Sequence, residues 1–493
     1  MPARYYSPQG RVEILLSRSW VLNLIGDTAR AQEGAQAALE FATRTKLPES
    51  QAECLLMLAG VHDQLGEMQA MRQEALAALD LYRRLGDRYG EGQAVGQIGI
   101  AVSSLEGPRA ARPYYQGALD IARTLDDRPN LMRCLLEMGW ILIRTEEYES
   151  ARSHLEEGLE MARSEEDSSQ EAFGTSCLGE IALHQGRPEE ALAYHQRALA
   201  IREQIGDKWF QGITWSWLSA DWEALGDLPM ARKARERALA INRAIGIRSG
   251  IAHDLDLLAG LCEIQGELDR ALALCREALD FCRRYEEKRR LPFLLCRLGS
   301  VHIARGEWEA AGAAAREALA GDPPLPVKAL ATLTLARLAL VRGDRLLAFG
   351  LLKEAGEAAA DSSDPAHRFD VQASWAEFHL DFRDAVSARK PLEAMHGLLP
   401  GQRGKDAGPR LEVLAACLLA CEGDAGEAGT VFANALSPLQ KMGLRWEEAR
   451  SYLRFGRALG GEKGRSYLQT ARALFSEIGA AGWAALCDQA LKS

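Results

Sequence analysis

Apolar residues recur along this chain at helical spacing, in runs that stop at a turn and resume beyond it. Leu135, Met138 and Leu142 share one helix face, and so do Trp215, Leu218 and Trp222. After each such run comes a break at glycine and then a second amphipathic run, as in "PEEALAYHQRALAIREQIG" at 188–206. The pattern predicts helix–turn–helix hairpins throughout, with no strand-like alternation required to explain it.

The hairpins are periodic. Gly26, Gly66, Gly186, Gly226, Gly266 and Gly306 fall on a strict forty-residue grid; Glu106, beside Gly107, and Glu146 occupy its two remaining points. Seven residues before each marker stands a small residue: Ser19, Ala59, Gly99, Gly139, Gly179, Ser219, Ala259 and Gly299. Twelve after it stand Ala38, Ala78, Ala118, Gly158, Ala198, Ala238, Ala278 and Ala318, and five after it Ala in every unit but the second, which has Met71. Small side chains at fixed register points imply helices that come close there. The near-identical "ALAIREQIGD" at 198 and "ALAINRAIGI" at 238 are thus a structural period rather than a chemical motif.

Beyond residue 320 the grid slips. A ninth hairpin turns at Gly343, a degenerate tenth precedes the loop-like "LPGQRGKDAGPR" at 399–410, an eleventh turns at Gly423, and a twelfth begins near Trp446 and turns at Gly460 and Gly461. The expected architecture is all-α: a right-handed α-solenoid of about twelve antiparallel helix hairpins with a capping helix over 481–493. Its expected divisions are a tail over 1–10, eight regular repeats over 11–320 and four degenerate hairpins over 321–480, with a break near 320–325 or 399–410.

The stretch "CLGEIALHQGRPEEALAYHQRALAI" at 177–201 resembles the tetratricopeptide repeat family: Leu-Gly, a turn glycine and two later alanines stand where that signature has them. The resemblance runs through eight units over 11–320. The family's usual period is about 34, so this chain is similar to its extended forms, found in kinesin light chains, polarity adaptors and the sensor arms of maltose-regulator-like bacterial signalling ATPases. The resemblance implies a concave groove, lined by the first helix of each repeat, where ligands lie.

That groove stripe falls thirteen, ten, six, three and two residues before each marker. In the fourth unit it carries Arg133, Leu136, Trp140, Ile143 and Arg144; in the fifth, Phe173, Ser176, Glu180, Leu183 and His184. Trp217 and Glu223 in the sixth unit, and His253, Asp256 and Glu263 in the seventh, extend it, so that the groove would run from basic and aromatic to acidic. Arg and aromatic residues dominate binding hot spots. The competing reading is that Trp140 and Phe173 fill space between neighbouring first helices.

Composition narrows the function. With 59 Lys and Arg against 69 Asp and Glu, the net charge of -10 argues against nucleic acid as a partner. No signal peptide or bilayer-length apolar run is present, which predicts a cytoplasmic protein without membrane insertion. The ten cysteines lack CxxC pairs and read as packing residues, with no metal and no cofactor implied. Phosphate-loop, HExxH and GxSxG motifs are absent, and His62 and His302 sit at one register position, as packing residues would. The basic run "CRRYEEKRRLP" at 282–292 reads as a solvated inter-repeat loop.

The expected function is therefore a non-enzymatic scaffold binding a protein or peptide, with a homo-oligomer compatible with the same groove. Asn23, Arg133 and Arg144 do not reproduce the carboxylate clamp of chaperone-tail-binding relatives. The alternative is a regulatory or sensor arm of a bacterial signalling system acting on a separately encoded ATPase, transcription factor or response regulator. An enzymatic variant, dephosphorylation of a response regulator through Gln64 or Gln93, would need an N-terminal bundle for which there is no room before the first repeat.

Overall fold

The computed structural model describes residues 7–24, 27–285, 287–360, 365–399 and 405–492. Gly26, Glu286, most of the tail over 1–10 and positions 400–404 of the sequence-predicted loop lie outside the described residues. Among the described residues there are twenty-five helices and no strand. They pair in order as hairpins: Pro8–Leu24 with Thr28–Arg44, Pro48–Leu65 with Met68–Leu85, Arg88–Glu106 with Pro108–Leu125, and Arg128–Arg144 with Tyr148–Ser164. Ser168–His184 pairs with Pro188–Ile205, Lys208–Leu225 with Leu228–Ile245, Arg248–Ile264 with Leu268–Arg284, and Leu291–Arg305 with Trp308–Ala318. Four less regular pairs follow: Leu325–Val341 with Arg345–Ala360, Pro365–Asp381 with Ala385–Leu398, Ala407–Glu422 with Ala425–Lys441, and Arg445–Leu459 with Gly461–Glu477. The last helix is Ala481–Lys492. The chain is an all-α solenoid of antiparallel hairpins.

The forty-residue grid is built from a finer unit. Left-handed residues stand at Lys46, Gly66, Gly86, Asp126, Glu146, Glu166, Gly186, Gly206, Gly226, Gly246 and Gly266, so that helices end every twenty residues. The marker therefore closes first helices, and an equivalent residue closes second helices. At each end the next amide reaches back five residues, as in Glu67 N–H to the His62 carbonyl (2.8 Å) and Asp87 N–H to the Tyr82 carbonyl (2.9 Å), which satisfies carbonyls the helix would otherwise leave open. Where that next residue is Asp it also starts the following helix: Asp87 Oδ1 accepts from Gly90 N–H (3.0 Å) and Asp227 Oδ1 from Met230 N–H (3.1 Å). The recurrent "LGD" thus ends one helix and caps the next in two residues. Glu146 takes the left-handed conformation without glycine's help (φ 65°), which shows that the tertiary packing enforces the turn.

At Gly99, Gly139 and Gly179 the small residue before the marker faces the residue nine after it. A Cβ on Gly139 would lie 2.5 Å from Leu155 Cγ, and one on Gly179 would lie 2.6 Å from His195 Nε2. Ala38, Ala78, Ala198, Ala238 and Ala278 are fully buried, as their register requires. Nine cysteines are buried and Cys421 is partly so, all unbridged.

Packing divides the chain into two compact units: Met1–Asp221 with Arg237–Ile251, and Trp222–Glu236 with Ala252–Ser493. In unit one a single core joins repeats two to five, from Ala52 to Ile181. Unit two folds its late hairpins against the turns of its early ones. A Cβ on Gly226 would touch Met442 Sδ at 3.3 Å, one on Gly266 would meet Ile478 Cγ2 at 2.8 Å, and one on Gly306 would fall 2.5 Å from Gly482 Cα. The last helix therefore seats on repeat eight as well as on repeat twelve, and Trp483 Nε1 donates to the Ile303 carbonyl at 2.6 Å.

Glycine at 306 meets two demands, a left-handed φ of 76° and backbone contact, whereas Gly186 meets only the first, with φ 72° and open space beside it. Gly186→Ala is expected to cost about 1 kcal/mol, and Gly306→Ala a further 1–3 kcal/mol, roughly the cost of overpacking. Thermal and urea unfolding of the two variants checks this; equal losses would contradict the closure of unit two.

Candidate peptide-binding tract

In unit one the first helices of repeats four, five and six bring aromatic residues together. Trp140 and Trp217 lie with ring centroids 6.2 Å apart, and Phe173 meets Phe210 edge-on at 6.2 Å. The exposed Arg144 guanidinium stands over Trp140 at 5.8 Å, a cation–π contact worth about 0.5–1 kcal/mol at such a site. Trp140, Phe173 and Trp217 are each partly buried, so they pack between helices and also present an edge to solvent. The two sequence readings of these rings, anchor and space-filler, describe the two sides of the same side chains.

Beneath them is a polar layer. His195 stacks on Trp217 (5.5 Å, 21° between planes), its Nδ1 lies 2.6 Å from Asp221 Oδ2, and its Nε2 donates to the Ser176 carbonyl at 3.2 Å. His195 and Asp221 are completely buried, and burial pushes the Asp221 carboxyl up, against the pull of His195. Arg202, 1% exposed, covers Phe210 at 4.8 Å and donates to the Phe210 carbonyl (3.2 Å) and to Thr214 Oγ1. Burial lowers its pKa to about 10. These groups hold the ring tract rigid from behind.

The stripe is narrower than its helical spacing implies. Leu136, Ile143, Ser176 and Leu183 are buried (0%, 1%, 0% and 4% exposed), and Leu136 lies between Gly158 of its own hairpin and Gly174 of the next first helix. Glu180 is only 8% exposed, with one oxygen 3.8 Å from His184 Nε2, while His184 Nδ1 meets the Tyr148 hydroxyl at 3.3 Å. Arg133 is turned onto Glu137 (3.3 Å) and Asn130 Oδ1 (3.2 Å). Of the candidates in this unit, Trp140, Arg144 and Trp217 lie in contact and Phe173 meets Phe210, while Arg133, Glu180 and His184 are bonded to other side chains.

The candidates in unit two have a different character. Asp256 accepts from Arg297 Nε (3.0 Å), and Glu263 accepts from Ser300 Oγ (2.5 Å) with Arg297 Nη1 at 3.8 Å. The acidic end expected at repeat seven is therefore neutralised by repeat eight, whose first helix lies against it. His253 Nδ1 accepts from Arg290 Nη1 at 2.9 Å, which takes Arg290 out of the solvated run expected at 282–292. Glu223 lies 3.9 Å from Arg235, a buried guanidinium that donates to Asp254 at 3.1 Å. One signal for these buried ions was available. His195 and Arg235 occupy the register position that is Ala, Tyr, Leu or Cys in the other units, and a polar residue at a core position needs a buried partner.

With this geometry in hand, the comparison with known families is direct: residues 97–164 and 171–244 match the tetratricopeptide repeat model. Those residues carry tetratricopeptide repeats. No curated protein matches it. Among solved structures it is similar to a signal transduction ATPase with numerous domains from Pyrococcus horikoshii that has a tetratricopeptide repeat sensor. There the identity is 16% and the TM-score 0.48, over 67% of this chain and 53% of that one. The chain thus spans about half the length of that ATPase. It is also similar to a Rap protein complexed with competence and sporulation factor (12% identity, TM-score 0.49, 80% of this chain and 99% of that one). A third likeness is to the Rap conjugation gene regulator of plasmid pLS20 in complex with the Phr* peptide (15% identity, TM-score 0.47, 66% and 97%). Among the described residues no helix is long and apolar enough to cross a membrane, and no three metal-binding side chains cluster.

The repeat-seven histidine yields a pH prediction. Burial first, then Arg290 and Arg235, lowers His253 to about 3 from an ordinary value of 6.5. The unfolded chain therefore binds a proton that the folded chain refuses, and stability falls as pH drops below 6.5. By pH 5 this site should have cost about 2 kcal/mol. His253→Gln, which can still accept from Arg290, should flatten the loss of stability between pH 7 and 5 in urea titrations; an unchanged slope would refute the assignment.

Proposed function

We propose that the repeats form a non-enzymatic scaffold that holds a peptide or protein segment against the tract of Trp140, Arg144, Phe173 and Trp217. The observation that carries this reading is an exposed arginine seated over one of two facing tryptophans, on a layer that is itself immobilised by buried polar bonds. Such a patch offers flat apolar faces and one unspent guanidinium, and it suits a segment in which an aromatic or aliphatic side chain neighbours a carboxylate. Rigid anchors lose little conformational entropy on binding, which favours recognition over catalysis. No serine or cysteine stands against a base at an open position of the tract: His195, bonded to Asp221, is completely buried, and His184, beside Glu180, meets the Tyr148 hydroxyl.

Fluorescence anisotropy of the full chain with a panel of synthetic acidic–aromatic peptides tests the reading. At least one peptide is expected to bind, and Trp140→Ala and Arg144→Glu should each weaken it about tenfold or more. Variants that bind every such peptide as tightly as the parent would defeat the proposal.

A further inference from the structure

A second site stands in unit two, where the late hairpins close against the early turns. A cavity of 540 Å³ opens there, within the range of pockets that hold small molecules. Its apolar wall is made by Leu340, Leu414, Leu453, Trp446 and Trp483. Trp446 and Trp483 meet edge to face at 5.6 Å and are held by Phe475 behind them.

The lining is also rich in arginine, and Arg450 stands over Trp446 at 5.7 Å. Part of that charge is spent internally. Glu377 accepts from Arg450 (3.2 Å) and from Arg454, and Glu447 accepts from Arg450 (3.1 Å) and Arg454 (2.7 Å), closing two carboxylates on two guanidiniums. Against the cost of burial, Arg450, Arg454 and Arg410 hold the Glu447 carboxyl down at about 2. Glu263 is taken by Ser300 and Arg297.

Arg342 pairs with Glu309 (2.6 Å), and three arginines of the cavity remain. Arg337 Nε is buried with no hydrogen-bond partner, although Glu263 and Glu377 both feel its charge. Arg383 and Arg457 are exposed within the cavity and make no ion pair among the described residues; Asp381 acts on Arg457 from beyond contact distance. Arg337, Arg383 and Arg457 thus add positive charge to a cavity whose carboxylates are Glu263, Glu377 and Asp381 and which Trp446 and Trp483 also line. A buried guanidinium N–H without a partner is costly to keep, and an arginine that lines a partly apolar cavity is complementary to an anion carried on an apolar body. A second cavity of 260 Å³ shares Arg337, Ser300, Trp446 and Arg450 with the first, so Arg337 stands where the two meet.

We propose that this cavity binds a small organic anion, a carboxylate or phosphate joined to a flat apolar group. Arg337 holds the anionic group, Trp446 and Trp483 stack the body, and Arg383 and Arg457 supply the field that draws it in. The site is independent of the aromatic tract in unit one.

Titration calorimetry of the full chain tests this with four probes: 2-naphthyl phosphate, 2-naphthoate, 2-naphthol and inorganic phosphate. At least one naphthyl anion should bind with one site per chain and tighter than either 2-naphthol or inorganic phosphate; which of the two binds tighter tells phosphate from carboxylate. Arg337→Gln should weaken that anion about tenfold or more, the order expected for a lost charge-assisted bond, and leave 2-naphthol unaffected. Arg457→Gln, at an exposed position where folding is not at stake, should weaken it a few-fold and reduce its salt dependence. Trp140→Ala should change nothing. Failure of both naphthyl anions to bind, or equal binding by the parent and the Arg337→Gln and Arg457→Gln variants, would overturn the proposal.

Discussion

Two antiparallel helices can approach as closely as they do in these hairpins only if one of them is nearly bare at the crossing. That constraint fixes the residue seven before each turn as Gly, Ala or Ser and brings the residue nine after the turn against it, as Leu155 against Gly139. Everything else is arranged around it. The left-handed closing residue and the following Asp make the link between helices as short as two residues, and the alanines five and twelve after the turn let the next repeat stack at the same distance.

The nine-after position is also where the stack departs from an apolar core. His195 in repeat five and Arg235 in repeat six are both buried, and each bonds to an acidic residue on the first helix of the next repeat, Asp221 and Asp254. Buried polar pairs of this kind add little net stability over a hydrophobic filling. What they provide is register: a histidine or arginine at this depth tolerates only the neighbour that carries its carboxylate in the right place, so consecutive repeats cannot slide or exchange.

The period, the hairpins and the identity of the packing face were legible from residue types alone, because small residues at fixed intervals have few explanations other than close helix contact. What periodicity does not contain is which distant repeat covers a given face. Gly226, Gly266 and Gly306 read as turns, and they are, but they are also where the last hairpins of unit two dock. Asp256 and Glu263 read as an acidic groove end because their partner Arg297 lies forty-one and thirty-four residues away in a different repeat. The contact of Trp140 with Arg144 and Trp217 joins candidates from two repeats, while the layer of His195, Asp221 and Arg202 beneath lies at second-helix and core positions that a stripe count passes over.

The central claim is that first helices recognise and second helices only support. Hydrogen exchange read by mass spectrometry, on the chain alone and saturated with a bound acidic–aromatic peptide, addresses it directly. Added protection should fall on peptides from Arg128–Arg144, Ser168–His184 and the 208–221 part of the next first helix, leaving Tyr148–Ser164 and Pro188–Ile205 as they were. Protection concentrated on those two second helices would contradict the account.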